Sequence, residues 1–297
     1  MDYIQRNKRI AAIGKLYTYM CILISILAVG ALSYFIASKG LRTFWLHEVS
    51  LKEFLFKTNW NPEPFNGQAS YGAGVFIFGS FAITILAVML STPLSLGGAI
   101  FMAEIDEKYG QKFLQPVIEL LVGIPSVVYG YVGLSIIVPF IRKYISGIGF
   151  SLLAGVLVLS IMILPTITSV AYDSLKSVSK ELRLASYALG TTRWQTIKNV
   201  VLPAALPNIL TGVVLGMARA FGEALAVQMV IGNVQKIPQS LVDSTSTLTS
   251  IITLEMGNTI AGSAYNEALW SMALILLVMS FIFIGLIRYL GKDRLKR

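Results

Sequence analysis

Two charged residues stand inside the most apolar company in the chain. Arg219 and Glu223 belong to Arg219-Ala-Phe-Gly-Glu223, within a run from Ile209 to Ile231 that is long enough to span a bilayer. Read as one helix, the run puts Arg219 ten residues in, about 15 Å along the axis and so near mid-membrane. An ionisable side chain at that depth costs about 2.5–3.5 kcal/mol by insertion scales, so it must face protein or a water-filled path and find a partner. The four-residue spacing predicts that Glu223 shares its helix face. Two readings follow. The pair locks helices together as an intrahelical salt bridge, or Arg219 meets an anion crossing the membrane, because a planar guanidinium fork matches phosphate-like oxyanions and stays charged in dry surroundings.

A site of that kind must be held by neighbouring spans, and a second stretch has the right character. Glu119-Leu-Leu-Val-Gly-Ile-Pro125-Ser126-Val-Val-Tyr129-Gly130 lies inside an apolar segment from 113 to 140. Pro125 removes a backbone donor in mid-span, and the small residues beside it allow close helix approach. A break like this is tolerated in lipid only where protein or a cavity covers the freed backbone. Pro125, Ser126 and Tyr129 are therefore candidates for the substrate path, with a packing kink as the alternative.

Composition demands a membrane. Of 297 residues, 55% are hydrophobic and 13% charged, against about 25% charged in a soluble domain, and the mean hydropathy is +0.72. The net charge of +9 comes from Lys and Arg scattered over short loops and the two ends rather than from a stripe, which argues topology and not nucleic acid. Cys21 is the only cysteine and His47 the only histidine, so there is no disulfide framework and no ligand set for a metal. His47 reads as a solvated loop residue.

The fold class expected is all-α, an integral membrane protein with six transmembrane helices. Residues 1–15 form a basic N-terminal segment, and 16–37 are the first span, longer than the apolar core of about 7–15 residues in a signal peptide. Residues 38–70 are a polar loop with a short helix capped by Ser50, suited to the membrane surface or a partner. The core from 71 to 290 holds five further spans: 71–103, interrupted at Pro93 and Gly97-Gly98, then 113–140, 150–172 with Pro165, the central run, and 267–290. A Ser/Thr-rich loop from 234 to 266 carries a short semi-buried helix near Leu248, Ile251 and Ile252. A basic tail, 291–297, closes the chain. Lys and Arg gather on the side that holds both ends, and the positive-inside rule makes that side cytoplasmic.

The loop 173–203 reaches the same side. Ser179 caps a short helix on which Leu182, Ala185 and Leu189 share one face, and Gly190 supplies the turn that ends it. A helix too short to stand alone needs a partner's groove. Gly190, nine residues, then Val200-x-Leu202-Pro203 resembles the coupling loop of ABC importer permeases, in which an EAA motif precedes the glycine. Here the motif's glutamate falls on Leu184, with Ala185 and Ser186 for the alanines and Glu181 one turn earlier. Candidate ATPase-coupling residues are Glu181, Leu182, Ala185, Leu189 and Gly190.

The stretches Glu119–Gly130, Ala188-Leu-Gly-Thr-Thr-Arg-Trp194, Leu202-Pro-Ala-Ala-Leu-Pro207 and Ala218–Ala224 through Gly232-Asn233 are similar to the C-type permease subunit of the phosphate-specific (Pst) importer. The resemblance implies a type I permease fold, import of inorganic phosphate, and a transport role for Arg219 and Glu223. It also implies partners: a second, A-type permease, two ATPase subunits that bind ATP and Mg, and an extracytoplasmic phosphate-binding protein. This chain has no Gly-x4-Gly-Lys-Ser/Thr loop with which to cradle ATP, so no cofactor is expected on it, and it reads as a transporter subunit rather than an enzyme. Closure of the ATPase pair would move the loop around Leu182 to Gly190 and tilt the spans carrying Pro125 and Arg219. Two rival readings are a permease for sulfate or molybdate and an ion-coupled secondary transporter, which would need no docking loop. A membrane enzyme lacks the side chains for a catalytic site.

Overall fold

The computed structural model describes residues 2–64 and 69–292. Among the described residues, six helices are long and apolar enough to cross a membrane. Apolar runs of this length become helices because lipid offers no partner to a free backbone amide or carbonyl.

The chain opens with α1 (Asp2–Gly40), a single helix through both the expected polar segment and the first span. The expected loop at 38–70 is instead structured as α2 (Arg42–Leu46), α3 (Leu51–Phe56) and a two-stranded ribbon. In that ribbon β1 (Trp60–Asn61) pairs antiparallel with β2 (Ser70–Tyr71), Trp60 opposite Tyr71. Ser50 precedes α3 in extended geometry, but its side chain makes no capping bond. α3 turns Phe54 into a fully buried cluster with Trp60, Phe76 and Leu248, so it packs on this chain's own bundle rather than only on lipid or a partner. The expectation for Phe65, and for the tail at Arg294, Lys296 and Arg297, lies outside the described residues.

α4 (Gly74–Ile100) runs straight through Pro93 and the Gly97-Gly98 pair, contrary to the interruption expected there, and continues as a π-helical turn over Phe101–Ile105. α5 (Glu107–Tyr109) and a second π-helical turn, Gly110–Leu114, reverse the chain. The third span is Ser126–Tyr144 rather than 113–140: α6 (Gln115–Gly123) stops, and α7 (Ser126–Val132) begins after Ile124 and Pro125 in extended geometry, so Pro125 stands at the start of this span and not in its middle. It then passes through a π-helical turn, Gly133–Ile137, into α8 (Val138–Tyr144). α9 (Leu152–Lys176) is the most buried span, its N-terminus capped by the Ser151 hydroxyl. α10 (Lys180–Ala188) and α11 (Arg193–Thr196) form the loop at one end of the bundle, α11 closed by a Thr192–Gln195 capping box.

The fifth span corrects the sequence reading most. After a π-helical turn at Ile197–Val201, α12 (Leu202–Gly222) ends at Gly222, and α13 (Leu225–Gln228) is a separate turn of helix. The span is thus 193–222, not 209–231, and Arg219 sits in its last turn rather than at its middle. α14 (Leu248–Glu255) is the semi-buried helix expected in the Ser/Thr-rich loop, and α15 (Ala264–Lys292) completes the bundle.

The central core joins α4, α9, α13 and the α7–α8 region through Ile83, Leu159, Met162, Ile163 and Val227. A second cluster under α3 and α14 closes one end, and a third, with Leu175, Ile197 and Val201, closes the end that carries α10. α1 joins the bundle only near its C-terminus: the Ser271 hydroxyl of α15 donates to the Gly40 carbonyl at 2.6 Å, and Phe35 stands edge-on to Trp270. His47 is not merely solvated. Its Nε2 lies 3.0 Å from Oε2 of Glu267, whose side chain is 5% exposed, and Arg42 approaches the other oxygen at 3.6 Å.

Candidate functional site

α12 stops because Gly222 is a poor helix residue and Glu223 leaves helical geometry, at φ −74° and ψ 126°. The two charges expected to share a face are therefore separated by the break. Arg219, partly buried, donates from Nη1 to the Thr166 hydroxyl of α9 at 3.1 Å. Among the described residues no carboxylate lies within ion-pair distance of it. Glu223 is occupied elsewhere: its carboxylate accepts the Ala226 amide at 3.2 Å, and its carbonyl accepts the Thr249 hydroxyl of α14 at 2.9 Å. Glu223 thus satisfies an amide at the start of α13 and pins the break to α14, while the arginine keeps most of its donors free.

The break at Pro125 lies beside this one. Tyr129 is buried, and its hydroxyl donates at 2.8 Å to the Leu121 carbonyl, which also accepts the Ile124 amide at 3.4 Å, so the tyrosine ties α7 to the end of α6. Tyr129 shares one buried cluster with Ala220, the residue after Arg219, and with Val227 of α13. α7 packs directly on α13 at Gly130, where a Cβ would come within 2.9 Å of the Ala226 Cα and 2.8 Å of the Met229 sulfur. Only glycine permits this approach. Pro125 is exposed, Ser126 is partly buried, and Pro125 occupies the position before the first turn of α7. Two interrupted helices, an arginine and the tyrosine thus meet in one place. Interrupted spans are where membrane proteins expose helix ends and backbone groups to a solute.

At the far end of the bundle α10 has two faces. Leu182, Leu184 and Leu189 are exposed, Leu189 at 85%, and Ala185 lies on the open side with them. Ser186 is buried, its hydroxyl 2.8 Å from that of Thr191 and 3.0 Å from that of Thr196. Gly190 has φ +80° and nothing within 4 Å of where a Cβ would stand, so its demand is conformational. Ser179 precedes α10 in extended geometry without a capping bond to a backbone amide. Glu181 is exposed, and hydrogen bonds from its own amide and from Ser179 hold its carboxyl below the usual carboxylate range.

Sequence reasoning missed Thr166, whose only signal was the neighbouring Pro165, and Thr249, which no local pattern marks. It also passed over Glu104, Arg183 and Arg193, which meet across the chain beside α10. Among the described residues no group of three or more His, Cys, Asp and Glu is placed to hold a metal. The largest cavity described, about 640 Å3, lies elsewhere, between α2, α3 and α15, and is lined almost wholly by apolar residues.

Comparison with known proteins fits this geometry. Residues 95–296 match the family described as binding-protein-dependent transport system inner membrane component. The probable ABC transporter permease protein YqgH of Bacillus subtilis (strain 168) is 58% identical over 95% of this chain and 91% of its own length. The phosphate transport system permease protein PstC of Mesorhizobium japonicum is 32% identical, covering 80% of this chain and 77% of that one. Among solved structures, a chain of a bacterial alginate ABC transporter in complex with an alginate-bound periplasmic protein superposes with a TM-score of 0.64. It is 15% identical and covers 93% of each chain, a likeness of fold alone. The chain belongs to the binding-protein-dependent transport system inner membrane component family, and is a multi-pass inner-membrane permease subunit of an ABC importer.

Proposed function

We propose that this subunit carries inorganic phosphate, forming the translocation path with a second, A-type permease. Its other partners are two ATPase subunits, which bind ATP and Mg, and an extracytoplasmic phosphate-binding protein. One observation carries the reading: Arg219, at the end of a broken helix, is held by a single neutral hydroxyl and by no carboxylate among the described residues. A guanidinium so placed has donors and charge left for an oxyanion. The resemblance to permeases named for phosphate transport supports phosphate over sulfate or molybdate.

In this mechanism the end of the bundle bearing α10 faces the cytoplasm, as do both termini, in keeping with the Lys and Arg gathered there. The open face of Leu182, Ala185 and Leu189 docks on the ATPase, with Gly190 setting the turn and Glu181 at the edge. ATP-driven closure moves α10, tilts the two interrupted spans and opens the path around Pro125, Ser126 and Tyr129. Arg219 then offers a transient anion site, and Glu223 fixes the geometry of the break. Binding must stay weak enough for the ion to leave.

The test is uptake of labelled phosphate in cells lacking their own phosphate importer and supplied with this chain and its partner subunits. The expected result is ATP-dependent uptake that excess sulfate or molybdate does not block. Equal block by either competitor would make the substrate another oxyanion, and uptake without ATP would make the chain part of a secondary transporter.

A further inference from the structure

The end of α4 is held by α10 and α11, although it lies far from both in sequence. Glu104, in the π-helical turn that ends α4, has a side chain only 7% exposed, and Arg183 of α10, 17% exposed, reaches it with Nη2 at 2.5 Å and Nε at 3.2 Å. The same guanidinium donates to the carbonyls of Leu175, at 2.8 Å, and of Val178, where α9 ends. From the other side, Arg193 of α11 donates to the carbonyls of Glu104 and of Ile105, the latter at 2.9 Å. Two arginines thus add donors to carbonyls, and positive charge to the partial negative charge, at the C-terminal ends of two core helices.

α10 is tied to α9 by the chain as well as by Arg183, and towards α12 by the chain and by the Ser186–Thr196 hydroxyl pair. α4 has no such chain link, and its connection to α10 is made by side chains 79 residues apart. Arg183 cannot itself be a docking contact, since it lies on the buried face of α10 with its donors spent. Its bonds join α10 directly to the end of α4. α4 in turn packs on α9, where Ser95 donates to the Leu164 carbonyl at 3.0 Å, and its Ser80 and Thr84 lie against Glu223 at the break of the fifth span.

We infer that the Glu104–Arg183 ion pair is the strut through which the docking helix drives α4, which makes Glu104 a positioning residue for transport. This rests on the reading of α10 as the ATPase-docking helix.

The experiment uses the complete complex in proteoliposomes, with phosphate uptake and ATP hydrolysis measured on the same preparation, with and without the binding protein. Glu104→Gln keeps the shape and loses the charge. The expected result is normal assembly and basal hydrolysis within about twofold of wild type, with uptake per ATP and stimulation by the binding protein down about tenfold. Glu104→Asp, which keeps the charge, recovers most of both. If Glu104→Gln fails to assemble, Arg183→Lys replaces it, with the same split expected. The inference is overturned if uptake and hydrolysis fall together in proportion to complex, or if neither changes. Stimulation by the binding protein reads the strut without reference to the transported ion. Leu189→Glu reads the docking face separately: normal assembly in that variant sinks the docking assignment, whereas Glu104→Gln sinks only the strut.

Discussion

Arg183 and Arg219 are both arginines at helix ends in a largely apolar bundle, and the fold treats them in opposite ways. Arg183 is saturated, spending its fork on the Glu104 carboxylate and the terminal carbonyls of α9. Arg219 is held by the Thr166 hydroxyl, while the carboxylate four residues on turns away to an amide of α13. The difference separates a charge whose donors are spent on the fold from one that makes a single bond to a neutral hydroxyl. A buried ion satisfied on every side is costly to disturb and has nothing to offer a visitor. One held by a single neutral partner is cheap to lose structurally, which is what the proposed anion site requires of Arg219.

The largest expected effect breaks that comparison directly. Arg183→Ala leaves the buried Glu104 carboxylate alone and should cost about 3–5 kcal/mol, seen as a lower unfolding temperature of the detergent-solubilised complex. Arg219→Gln in the same measurement should stay within about 0.5 kcal/mol of wild type, because no carboxylate loses its partner. If Arg219→Gln were as destabilising as Arg183→Ala, both arginines would be structural.

The smallest effect sharpens the comparison by adding an exposed pair at the same end. The Lys176 ammonium beside Glu107 holds that carboxyl below its ordinary value of 4.5, by hydrogen bond first and by charge second. A lowered carboxyl contributes stability above its unfolded-state pKa and loses it as pH falls through the folded one. The Glu107–Lys176 link should therefore be intact at neutral pH and loosen only below pH 4.5, with faster amide exchange in α5 as the readout. In full solvent such a pair contributes little, so the α10 node should persist where this link has gone.

How far these arrangements can be read from the sequence depends on the range of the interaction. The apolar runs locate six spans, and the turn at Gly190, the exposed apolar face of Leu182 and Leu189 and the α14 helix follow from local periodicity and glycine chemistry. The break after Gly222 is hidden because apolar residues continue to Ile231, so hydropathy does not register the change of backbone geometry at Glu223. That one change removes the expected pairing of Arg219 with Glu223. The partners that replace it, Thr166 for Arg219 and Thr249 for the Glu223 carbonyl, come from other helices, as does Glu104 for Arg183, and nothing local marks them. The family resemblance names candidate residues without showing what each one touches.

The most direct test of the central claim is phosphate uptake by Arg219→Gln, normalised to assembled complex and compared with Arg219→Lys. The account predicts normal assembly, loss of uptake in Arg219→Gln and partial uptake in Arg219→Lys, which keeps the charge and loses the fork. Normal uptake by Arg219→Gln would contradict it and leave Arg219 as a packing residue of a permease whose anion site lies elsewhere.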